Sequence, residues 1–294
     1  MLRNIQLLFI VLGLAAPALA QTAQPASSSQ MRGFNAYESF RGSADSFGAV
    51  LKLDSSLGYD FNRHVGVFAG IPLYFTHNRQ PSGATSNSQR SGPGDLYFGG
   101  DLYLPTPVVD FTTTFTLGAP TGSVADGFGT GHVTADWSNR VRKRIGPLAP
   151  FAVVGVSNSV PDTETLVRNF SSLGNLIHLE EGADLDLSRR VYVGASVYQI
   201  VPFGNQQIFD RVADDSQPGD SGTERVPGIN RGQPSLTGTS ITRENGFDAW
   251  IGFELTRVVR TEIGYSRSVT FAENRLSFSV SLNLGRMLRL RRPE

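Results

Sequence analysis

The chain has 294 residues, a formal net charge of zero from 26 basic and 26 acidic side chains, and no cysteine. The charge balance argues against a nucleic-acid binder, and without cysteine there is neither a disulfide framework nor a site for lipoprotein acylation. Charged residues are only 18% of the chain and glycine is abundant at 32 residues, which suits a sheet with one face turned to lipid.

Residues 1–20 read as an export signal. Arg3 gives a positive start, Ile5 to Ala16 a short apolar stretch, and Ala18-Leu19-Ala20 a small-x-small cleavage site. The apolar stretch falls short of the roughly 20 residues of a spanning helix. Residues 21–31, rich in Gln, Ala, Ser and Thr, read as a disordered leader, and 32–294 as one barrel domain.

From residue 32 onward apolar side chains recur at spacing two. Successive strand residues point to opposite faces, so each such segment is oily on one side and wet on the other. The first strand, 32–42, is the weakest, with Phe34, Ala36 and Phe40 on one face. In 46–61, Ala49, Leu51, Leu53 and Leu57 alternate with Lys52, Asp54, Ser56 and Gly58. Asn62-Arg63 turns into 64–77, and a polar loop follows at 78–93. Strands 95–104 and 108–119 join at Pro105-Thr106-Pro107, with a glycine-rich loop at 120–131. Strands 132–144 and 150–158 join at Gly146-Pro147, then a loop fills 159–176. Strands 177–187 and 191–201 join at Ser188-Arg189-Arg190. The longest loop, 202–245, precedes strands 246–256, 258–269 and 276–288.

The reading is therefore all-β: a transmembrane antiparallel up-and-down barrel of about 12 strands, with connections alternately short and long. Most strands reach the roughly 9–11 residues that cross a bilayer on a tilt. Outer-membrane barrels have short periplasmic turns and longer external loops, so the expected place is the bacterial outer membrane. The competing fold, a soluble lipocalin-like barrel or sandwich with its oily face inward, is disfavoured by strand length and number.

With lipid outside, the expected lumen-lining residues are Lys52, Asp54, Asp101, Asp110, Asp136, Arg140, Asp184, Asp186, Asp248, Glu254, Arg260 and Glu262. Nine acids against three bases in this set would favour cations. Thirteen of the 26 basic residues, Arg63, Arg144, Arg190 and Arg257 among them, map to the short-turn rim, where they would meet lipid phosphates.

Chemistry is sparse. His64, His77, His132 and His178 have no serine two residues on, so no base–nucleophile pair is expected and the chain reads as a non-enzyme. Asp214, Asp215 and Asp220 fit no EF-hand spacing, and neither metal nor cofactor is expected. Gly127-Phe128-Gly129-Thr130-Gly131 precedes no helix and is not a nucleotide loop.

Gly94-Asp95-Leu96-Tyr97, Leu117-Gly118-Ala119-Pro120-Thr121-Gly122-Ser123, the 127–131 glycine run and Asp136 together resemble the "MetA-pathway of phenol degradation" family of outer-membrane proteins. The resemblance implies a barrel moving small, hydrophobic or aromatic compounds, and it carries over no catalytic residue. The expected function is a passive channel for small molecules. The alternatives are a structural or adhesive barrel whose 202–245 loop binds a ligand, and, third, a lipid-modifying enzyme. Expected partners are outer-membrane lipids, a small permeant and the barrel-assembly machinery. For that machinery, Leu288 or Leu290 would stand in for the usual terminal aromatic residue.

Overall fold

The computed structural model describes residues 33–45, 48–78, 89–163, 166–212, 235–237, 243–256 and 258–284. The expected export signal and leader, Arg257 and residues 285–294, with the end of the expected last strand, lie outside them.

The chain forms β1 (Gly33–Ala44), β2 (Gly48–Asp60), β3 (Val65–Asn78), β4 (Gln89–Pro93), β5 (Leu96–Pro105), β6 (Asp110–Ala119), β7 (Thr134–Arg142), β8 (Leu148–Ser157), β9 (Phe170–Leu173), β10 (Leu176–Asp186), β11 (Val191–Pro202), β12 (Gln206–Asp210), β13 (Ser235–Thr237), β14 (Glu244–Glu254), β15 (Val259–Ser268) and β16 (Glu273–Asn283). Thirteen strands make one antiparallel sheet, which closes because β1 pairs with both β2 and β16. β4 and β5 are two halves of one stave: β4 pairs with Leu73 to His77 of β3, and β5 with Val65 to Gly70. The thirteen strands are thus twelve staves, and every strand expected from the alternation is present.

Three expected loops are only partly loops. The end of 78–93 is β4, 159–176 contains β9, and 202–245 contains β12 and β13. The last three form a small separate sheet in the order β13-β12-β9. Their polar sequence hides them, because they do not alternate like a stave. The last stave also starts earlier than expected, at Glu273, because Glu273 and Arg275 continue the inner face opposite Ser268 and Ser266.

The faces follow the alternation. On β2, Lys52 and Asp54 are buried within the barrel while Leu57 is 67% exposed on its outside. Phe98, Trp137, Ile263 and Leu276 are likewise more than half exposed. This apolar belt crosses many staves and far exceeds the patches a water-soluble surface carries. Two carboxylates interrupt it by parity: Glu38, which accepts a hydrogen bond from Ser55 Oγ at 2.7 Å, and the exposed Glu181. No helix among the described residues is long and apolar enough to cross a membrane.

Inside, large rings lie over glycines. Phe151 faces Gly182, Tyr192 faces Gly252, Trp250 faces Gly194 and Tyr198 faces Gly246, each directly across the ladder. Phe68 and Gly99, and Tyr97 and Gly70, do the same on the other side. A Cβ at Gly252 would lie 1.8 Å from the Tyr192 ring, and one at Gly194 2.2 Å from Trp250. The missing side chain is what lets each ring fold flat against the wall.

Candidate lumen site

The inner sheet and its flanking segments form a plug in the long-loop mouth. Arg168, Leu166, Ser172, Gln206 and Ile208 are at most 2% exposed. An apolar seam of Val160, Phe170, Leu176, Ile200 and Ile208 holds the plug to β10 and β11. Charged contacts tie it to three sides of the wall. Arg168 pairs with Glu244, which also takes Arg275 Nη1 at 3.0 Å and the Tyr198 hydroxyl at 2.9 Å. Arg275 reaches on to Glu273. Asp162 Oδ2 lies 3.1 Å from Lys52 Nζ and 3.7 Å from Arg41 Nη2. Ser43 Oγ donates to the Val167 carbonyl, and Asn169 Nδ2 donates to Asp45 at 3.1 Å.

The Asp162 carboxyl illustrates the electrostatics. Burial alone would raise its pKa. Lys52 first, then Arg41 and Arg211, more than offset that, and the Arg168 N–H donates to Oδ1 at 3.0 Å. The group is held well below the usual carboxylate range.

The glycine-rich loop 120–131 closes over the break between β4 and β5. Asp95 at that break accepts the N–H groups of Gly122 at 2.9 Å and Thr130 at 3.3 Å. A Cβ on Gly129 would lie 2.6 Å from the Asp95 carboxylate, and Gly127 and Gly131 have φ of +69°. This fold presents Phe128 inward, stacked on Tyr74 at 5.6 Å and 15°.

Beneath the plug lies a cavity of about 290 Å³. Its wall belongs mainly to β1–β3, β5–β7, β15 and β16, and its roof to Phe128, Pro161, Ser171 and Arg211. Arg211 sits 4.3 Å above the Tyr74 ring, and the Tyr97 hydroxyl donates to Asp54 at 2.7 Å. The cavity reaches Arg260 and Glu262 near the short-turn end, where Arg260 Nη2 is 2.8 Å from Glu262.

The opposite half is filled. Phe151, Val153, Tyr192 and Trp250 form a buried apolar cluster on β8, β11 and β14. Arg140 lies 4.4 Å over the Phe151 ring, and Trp250 Nε1 donates to Asp184 at 3.2 Å.

All twelve residues expected to line the lumen have the inner-face parity of their strands, but they do not form one site. Lys52, Asp54, Asp136, Arg260 and Glu262 border the cavity. Asp184 pairs with Arg142 at 2.9 Å and Asp186 with Arg144 at 2.8 Å, at the short-turn rim. Asp110 is at the same end beside Tyr103, and Glu254 is exposed there. Asp101 faces Asp60 across Gly66. Asp248 is 2% exposed between Ser196 and Ser266, with no hydrogen-bond partner for its Oδ1.

Beyond the expected nine acids and three bases, charged residues of both signs lie inside. Arg41, Arg142, Arg168, Arg211 and Arg275 also point inward or into the plug, and so do Asp60, Asp162, Glu180, Glu244 and Glu273; among these, Arg41 pairs with Asp162, Arg142 with Asp184, and Arg168 and Arg275 with Glu244. Arg41 was missed because β1 has little amphipathic signal. Arg168 and Arg211 were missed because they lie in expected loops. His178 was missed as an inner residue: it is 3% exposed and its Nε2 lies 2.9 Å from Asp136. Its one readable sign was its parity with Asp184 on β10. Among the described residues no group of three His, Asp or Glu is arranged to hold a metal ion.

The sequence matches no known protein family and no curated protein. Solved structures are similar in fold. The COG4313 outer membrane channel from Pseudomonas putida F1 aligns with a TM-score of 0.59 at 12% identity, over 88% of this chain and 98% of that one. The NanC porin aligns with a TM-score of 0.48 at 8% identity, over 83% of this chain and 98% of that one. The KdgM porin in complex with disordered oligogalacturonate reaches 0.45 at 10% identity, over 84% and 98%. The likeness to the Pseudomonas putida channel is one of fold.

Proposed function

We propose that this protein is an outer-membrane channel for small molecules, exported by a cleaved signal at residues 1–20, and that its conductance is limited by the plug. The observation that carries the reading is the pairing of an apolar outer belt with an inner cavity lined by Arg, Lys, Asp, Ser and Tyr. A soluble barrel would need the reverse arrangement. The likeness to the Pseudomonas putida channel supports the same fold on which such a function is built.

The permeant is small, because the inner space is divided. One half is packed by Trp250, Phe151 and Tyr192, and the plug roofs the other. Five aromatic side chains, Tyr37, Phe68, Tyr74, Tyr97 and Phe128, border the remaining cavity, which favours a compound with an aromatic or apolar body.

We read the barrel as non-enzymatic. Beside the His178–Asp136 pair, the Ser157 hydroxyl on the neighbouring strand is held by the carbonyls of Ala135 and Ser159, and among the described residues it makes no hydrogen bond to the imidazole. Single-channel recording in planar bilayers tests the channel reading. Small steps are expected from the intact protein, and larger ones once Arg168→Gln loosens the plug. A bilayer that stays silent with both proteins would discard transport and leave the structural barrel.

A further inference from the structure

We propose that the junction of Asp162 with Lys52 and Arg41 is a binding site for small aromatic monocarboxylates, and that Asp162 is an internal carboxylate which such a ligand displaces. The proposal rests on the channel reading and names the class of its permeant.

Asp162 belongs to the plug, not to a stave. Its Oδ2 is shared between two wall cations, Lys52 on β2 and Arg41 on β1, which are direct cross-strand neighbours. Without Asp162, one wall carboxylate, Asp54, is left within salt-bridge distance of Lys52, at 3.4 Å, and it already accepts the Tyr97 hydroxyl. Arg41 is 4% exposed, and its Nη2 makes no hydrogen bond even with Asp162 in place. Arg211 adds a third cation nearby, and its field reaches Asp162. Removing the plug carboxylate therefore leaves a buried surplus of positive charge, which is costly unless another anion takes its place.

The surroundings define the rest of that anion. Lys52 Nζ lies 5.8 Å from the centre of the Tyr74 ring, and Phe128 stacks on the same ring. Tyr97 stands on the other side of Asp54, and the cavity opens directly below. A carboxylate placed on Lys52 and Arg41 would set its ring among Tyr74, Phe128 and Tyr97. A volume of about 290 Å³ is at the small end of ligand pockets, roughly 300–1,000 Å³, so it suits one ring rather than a chain or polymer. Binding and release of the plug are then one event, because ligand and Asp162 compete for the same two cations.

The test is isothermal titration of the full-length barrel in detergent with benzoate, benzyl alcohol, acetate and benzylammonium. Benzoate is expected to bind at least tenfold tighter than any of the other three. Asp162→Asn weakens the internal competitor and should tighten benzoate several-fold, whereas Lys52→Gln should weaken it tenfold or more. Equal affinity for benzoate and benzyl alcohol would overturn the proposal, as would unchanged benzoate affinity in folded Asp162→Asn. The wild-type ligand series decides alone if a variant does not give the heat-resistant folded band. Recording conductance on the same samples separates the two readings: a silent barrel that still binds benzoate removes the channel, and a conducting barrel that ignores benzoate removes this site.

Discussion

The two halves of the barrel interior use the same wall architecture and reach opposite results. Where β8, β11 and β14 face inward, Phe151, Tyr192 and Trp250 each lie across a glycine and fold against the wall until they touch one another. Where β1, β2, β3 and β5 face inward, Phe68 and Tyr97 also lie on glycines, but the inner residues of the neighbouring β1 and β2 include Ser39 and Ser56, and a cavity remains. The difference lies in the side-chain volume that the neighbouring strands contribute: rings on β8, β11 and β14, serines on β1 and β2. A closed sheet of fixed strand number encloses a fixed space, and inner-face composition decides how much of it stays empty.

The plug sharpens the contrast, because it is fastened differently to each half. On the filled side it uses an apolar seam and the Arg168–Glu244–Arg275 network. On the cavity side it relies on Asp162 and a few hydrogen bonds. The filled side should therefore be the anchor and the cavity side the place where the plug lets go.

Substitutions can break this picture at several strengths. Glu244→Ala strands the buried Arg168 guanidinium, leaves Arg275 with Glu273 alone, and should cost about 3–5 kcal/mol, read as a lowered urea midpoint in lipid vesicles. If the loss matched that of a surface carboxylate, the anchor would be misplaced. Leu53→Arg puts a charge on the outer belt and should cost roughly 2–4 kcal/mol. A neutral result there would turn the belt away from lipid. Gly252→Ala drives a methyl into the Tyr192 ring and should cost about 1–3 kcal/mol. Combined with Tyr192→Leu it should lose less than the sum of the two, and strict additivity would remove the ring-on-glycine account.

Asp54→Asn is a smaller perturbation, yet not the silent one that an exposed lumen carboxylate would allow. Asp54 is 9% exposed and holds both Tyr97 and Lys52, so about 1–2 kcal/mol should be lost. The weakest expected effect is that of mild acid. Asp162 is held below the usual carboxylate range while docked, and returns to that range when the plug is free. A depressed value favours docking above that range, and the gain disappears only as pH falls further, through the docked value. Tyrosine fluorescence and conductance should hence stay level from pH 8 to pH 5 as far as this contact is concerned. A midpoint inside that window would mean another group controls the plug.

Much of this structure is legible in the sequence. The twelve staves, their in-and-out faces and the alternation of short and long connections follow from period-two patterning, which is a property of neighbouring residues. Even β1 follows, since an even strand count demands it. The motif Gly94-Asp95 with the 127–131 glycines also has a local meaning, as the carboxylate and bare backbone that fold the 120–131 loop. What tertiary structure alone decided is how the interior is used. Lys52 and Asp162 are 110 residues apart, Ser43 and Val167 124, and Arg168 and Glu244 76. No periodicity links such residues. They meet because closure of the sheet brings the first staves back beside the last, and because a polar loop that could have stayed in water found unpaired charges waiting inside.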